Sequence, residues 1–101
     1  MSDKSELPPL DRGKINLETA TIPWRELQRF FAQGVTIAVS PELDLVEVAY
    51  QISQDEKQLL EGWMARGQVG PVSDQQAREW LEADAEVWSV VVRPWVLVQT
   101  K

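Results

Sequence analysis

The segment Val87–Thr100, VWSVVVRPWVLVQT, constrains the fold more than any other part of the chain. It is the densest run of β-branched and aromatic side chains and holds two of the five tryptophans. Side chains of that shape pack well on a pleated surface, so the run reads as strand. Its apolar character is nearly continuous rather than alternating, the pattern of a strand with cover on both faces. Pro94 cannot donate a ladder hydrogen bond and marks a bend, a bulge or an unpaired edge position. The segment therefore divides into Val87–Arg93 and Trp95–Thr100, hinged at Pro94, a spine onto which short helices pack.

Upstream, the apolar spacing changes period. Trp24, Leu27, Phe30 and Phe31 fall on one face of a helix over Pro23–Gln33, with Pro23 at its first position and Gly34 as its left-handed stop. Asn16 is placed to cap a shorter helix over Leu17–Thr21. Val35–Val39 then reads as a buried strand, the natural partner for one half of the spine. Ser40-Pro41 is the signature of a helix start. Leu43–Ile52 fits period two as well as period 3.6, and the Ser40-Pro41 start decides for helix. Ser53-Gln54-Asp55-Glu56 and Ser73-Asp74-Gln75-Gln76 each have the spacing of a capping box. The first opens a helix whose Leu59, Leu60, Trp63 and Met64 share one face and which Gly67 closes. The second opens a helix ending at Glu82 or Ala83, with Ala77, Trp80 and Leu81 as its packing face. Between them, Gln68–Val72 is a turn or a very short edge strand.

The expected fold is a single α+β domain over residues 14–101. A small sheet of about three strands, Val35–Val39 and the two halves of the spine, carries four to five short helices packed mainly on one face. Residues 1–13, polar and with paired prolines, form a flexible lead. They lack the apolar segment of a secretory signal, and no run approaches the roughly 20 apolar residues of a membrane span, so a cytoplasmic location is expected.

Composition then narrows the chemistry. The chain of 101 residues has no cysteine and no histidine, which removes disulfides, thiolate nucleophiles, the usual structural zinc sites and histidine-based triads together. No metal or cofactor is expected. Ten cationic against sixteen anionic side chains give a net charge of −6 with no basic cluster, which argues against nucleic acid and anionic membrane as partners. Catalysis, if any, would have to come from carboxylates, lysine, tyrosine or hydroxyls.

Individual residues have competing readings. Glu42, Asp44 and Glu47 cluster near a helix start; they can ligate a cation, but acidic groups there also offset the helix dipole. Glu18 and Glu26 lie near Arg25 and Arg29, where exposed pairs signify little. Arg93 beside Pro94-Trp95 either pairs with a carboxylate such as Glu18 or serves as an edge arginine that discourages aggregation. Gln99 is either a buried amide holding a carbonyl or a solvent-facing strand end. Trp95 is a candidate interface anchor, and packing explains it equally.

The blocks ETATIPWRELQRFF (Glu18–Phe31), LDLVEVA (Leu43–Ala49) and VVVRPWVLVQ (Val90–Gln99) resemble the bacterial domain of unknown function 2288 family. The resemblance implies a small, stand-alone bacterial protein and brings no activity, substrate or catalytic residue with it. Glu18, Trp24, Glu26, Asp44, Arg93, Trp95 and Gln99 fall within these blocks and are the candidate ligand or interface residues. The leading functional expectation is a non-enzymatic interaction module that self-associates. The alternative is a small-molecule-binding protein or carboxylate-based enzyme holding an anionic ligand near Arg93 and Trp95.

Overall fold

The computed structural model describes residues 19–101. The flexible lead and the Asn16 cap expected at the N-terminus lie outside them. The spine is a hairpin: β4 (Glu86–Val92) runs antiparallel to β5 (Trp95–Thr100) from Val87↔Thr100 to Val92↔Trp95. Arg93 and Pro94 form the turn, joined by a cis peptide bond.

Around this hairpin the sheet grows to five strands in the order β1-β4-β5-β2-β3, not the three expected. β2 (Thr36–Val39) lies parallel to β5, with Ile37 opposite Leu97. The short edge strand β3 (Val69–Pro71) pairs antiparallel with β2. At the other edge, β1 (Ala20–Pro23) pairs antiparallel with β4, so Ala20 and Thr21 are strand rather than the end of a helix. Pro23 closes that strand instead of opening a helix; Trp24–Leu27 is a 3₁₀ turn that continues into α1 (Gln28–Ala32).

α2 (Leu45–Ser53) confirms the helical reading of the ambiguous segment but starts later than Ser40-Pro41 implies. Ser40–Leu43 is a turn, in which the Ser40 hydroxyl accepts from the Glu42 amide and the Ser40 carbonyl from Leu43. The capping box at Ser53 does not form. α2 runs through Ser53, whose hydroxyl donates to the Tyr50 carbonyl at 2.6 Å, and α3 (Lys57–Ala65) begins after Glu56 with no side-chain cap. By contrast Ser73 caps α4 (Asp74–Glu82), accepting from the Gln76 amide at 3.1 Å.

The four α-helices among the described residues stop in the same way. After α1 the Val35 amide reaches back to the Phe30 carbonyl and the Gly34 amide to Phe31, with Gly34 at φ +77°. That pair of bonds satisfies carbonyls the helix leaves open, and needs a left-handed residue. Gly67 supplies it after α3, and Asp55 and Asp84 supply it after α2 and α4.

Two cores lie on opposite sides of the sheet, which overturns the expectation that helices pack mainly on one face. α2 and α3 cover one side, where Leu45, Val48 and Ala49 meet Val39, Val69, Val90, Val92 and Leu97. The 3₁₀ turn, α1 and α4 cover the other, where Trp24, Leu27, Ala77 and Trp80 meet Val87, Val96 and Val98. Successive strand residues point to opposite faces. Val96, Leu97 and Val98 are therefore all buried, alternately in the two cores, and this is why the spine reads as unbroken apolar sequence. Among the described residues no helix is long and apolar enough to cross a membrane.

Candidate functional site

Each candidate residue is placed by its element. Trp24, at the strand-to-helix junction, is fully buried and packs edge-on against Phe31 and Trp80, with ring centroids 5.7 and 5.0 Å away. Its indole N–H has no hydrogen-bond partner among the described residues. Glu26 is exposed on the 3₁₀ turn; its neighbour Arg25 forms an exposed ion pair with Asp84. Asp44 is the N-cap of α2, its carboxylate accepting from the amides of Val46 at 2.9 Å and Glu47 at 3.4 Å. The other two acidic side chains of that cluster have other partners, Glu47 accepting from Gln51 and Glu42 from Gln68. Among the described residues no three acidic groups gather to hold a metal ion.

Gln99 is half-buried, and its amide holds backbone carbonyls. Its Nε2 donates to the carbonyls of Ser40 at 2.9 Å and Leu43 at 2.7 Å. One strand side chain thus ties down the turn that delivers α2. It shares a hollow of about 250 Å³ with Asp44, Leu43 and Trp88. Arg93 is exposed in the hairpin turn, and no described carboxylate pairs with it. Glu18, its suggested partner, lies outside the described residues.

Trp95 opens β5 and faces the same side of the sheet as Leu97, two residues on. It stands at the rim, 38% exposed, where the helical cover ends. α3 has no fully buried residue: Leu60 and Trp63 lean on the core, while Leu59 and Met64, on the flanks of its apolar arc, remain about half exposed. The space left between α3, the end of α2 and the sheet is a groove of about 280 Å³. Ile37, Ile52, Leu60, Met64, Val69, Pro71 and Trp95 line it, and no ionisable side chain does. A second hollow of about 120 Å³ shares Ile52, Leu60 and Trp95 with it and adds Asp55, Glu56 and Lys57.

The six described candidates do not converge. Trp24 lies on one face of the sheet, Trp95 and Gln99 lie at opposite ends of β5 on the other, and Asp44 and Gln99 line one hollow. The groove's remaining walls, Ile37, Ile52, Leu60 and Met64, were not among the candidates. Helical spacing places Leu60 and Met64 on an apolar face but does not show whether a neighbour covers it.

Comparison with known proteins gives the fold a relative. The NMR solution structure of PA1075 from Pseudomonas aeruginosa matches with a TM-score of 0.80 and 42% identity, over 88% of this chain and 82% of that one. A search of curated proteins returned no match. The model of the DUF2288 family, proteins of unknown function, matches residues 11–100, a span that takes in all three blocks of resemblance and the whole described sheet. With nearly the full chain matched, this protein belongs to the DUF2288 family.

Proposed function

We propose that this chain is a non-enzymatic, cytoplasmic protein-interaction module that associates with a second copy of itself through the groove beside Trp95. The observation that carries this reading is an apolar groove at the molecular surface, walled by Ile37, Leu60, Met64 and Trp95 and free of ionisable side chains. Removing apolar surface from water contributes roughly 25 cal/mol per Å², and tryptophan is among the residues that most often anchor an interface. Electrostatics oppose the contact, because each copy carries a net charge of −6. Added salt screens that repulsion, so association strengthens with ionic strength.

Sedimentation velocity across a wide concentration range tests the proposal. The parent chain should shift from monomer toward dimer, more readily at high salt, and Trp95→Ala should weaken the dimer at least tenfold with unchanged circular dichroism. A strict monomer at high concentration, with no protein partner recovered in pull-downs, would sink the reading.

A second reading follows from the groove's concavity. It can hold the apolar part of a small anionic ligand, with Trp95 covering it, Lys57 in the adjoining hollow and Arg93 exposed in the hairpin turn that precedes Trp95. The two nearby carboxylates, Asp55 and Glu56, count against an anion there. Titration with 8-anilinonaphthalene-1-sulfonate separates the two: saturable one-to-one binding to a monomer, lost in Trp95→Ala, favours the ligand reading.

A further inference from the structure

We draw no further inference here: the strongest candidate outside the Trp95 groove, the open hollow of about 400 Å³ where Ser40, Gln68, Ser73, Gln76 and Thr100 surround the first turn of α4, rests on a helix N-terminus, with no second observation in the structure that points to a ligand.

Discussion

On the face of the sheet that carries Val96 and Val98, Trp24 is sealed between Phe31 and Trp80; on the face that carries Leu97, Trp95 stands 38% exposed beside an open groove. Both tryptophans adjoin a proline at a junction between elements, and nothing in their immediate sequence separates them. The difference lies in what lies across the sheet. Trp24 has two aromatic side chains from helices that close over it, whereas α3 comes to rest with its apolar arc only partly covered. Large apolar side chains in one small domain can thus serve cohesion on one side and remain accessible on the other. The position of a tryptophan relative to the end of the helical cover decides which.

The largest expected effect tests the sealed side. Trp24→Ala removes a fully buried ring and leaves a void among Phe31, Leu27 and Trp80. Large-to-small changes of this kind cost about 3–5 kcal/mol. Small domains have roughly 5–15 kcal/mol of net stability, so the variant should lose much of its urea resistance or fail to fold cooperatively. A loss below about 1 kcal/mol would show that the aromatic cluster is not what closes this face.

Next in size is Gln99, which anchors the turn into α2 on the groove side. Gln99→Leu removes two hydrogen bonds to half-buried carbonyls, each worth about 0.5–1.5 kcal/mol, and leaves the Ser40 carbonyl with the Leu43 amide alone. Gln99→Glu, similar in shape but with no amide donor, should be at least as damaging near neutral pH. If thermal melts place both variants within 0.5 kcal/mol (~) of the parent, the clamp does not hold α2 in place.

Smaller effects should come from the helix stops. Gly67 closes α3 at φ +73°, and a Cβ there would meet no atom within 4 Å, so Gly67→Ala isolates the backbone cost. A left-handed alanine is disfavoured by roughly 1–2 kcal/mol. Asp55 occupies the same conformation after α2, and Asp55→Gly should leave stability within about 0.5 kcal/mol of the parent. Chemical denaturation of the two variants side by side compares the stop that sequence marks with glycine and the stop it does not.

These cases show where the sequence is legible. The Pro94 hinge, the Gly34 and Gly67 stops, the Ser73 cap and the short edge strand are encoded by a few adjacent residues, and each is found where the local pattern puts it. The misses share a nonlocal cause. β1 is four residues long and exists by pairing with β4, far along the chain. Ser40-Pro41 and Ser53 carry helix-start signals, yet the turn pinned by Gln99 delays α2 and the helix then continues through Ser53. The unbroken spine signals cover on both faces, yet the expected fold puts the helices mainly on one, because the number of strands and the side each helix takes depend on topology. For the groove, periodicity identified the apolar face of α3 and said nothing of where its cover ends.

Trp95→Ala sharpens the contrast with Trp24 most directly, because a small loss of stability should accompany the largest change in association. Fully burying a large apolar side chain stabilises by roughly 1.5–3 kcal/mol, and Trp95 is only partly buried. Removing it should therefore cost about 1 kcal/mol, a shift of about 4–8 °C in the melting temperature of a domain this size. Its partner across the hairpin, Val92, remains buried in the core, so the strand register has no reason to change. If Trp95→Ala instead unfolds the chain as Trp24→Ala is expected to, the exposed tryptophan is a core residue with one edge showing. The groove would then be a packing defect rather than a contact surface. A stable variant that no longer self-associates would instead mean that the two tryptophans, alike in sequence setting, have been divided between holding the molecule together and presenting it to another.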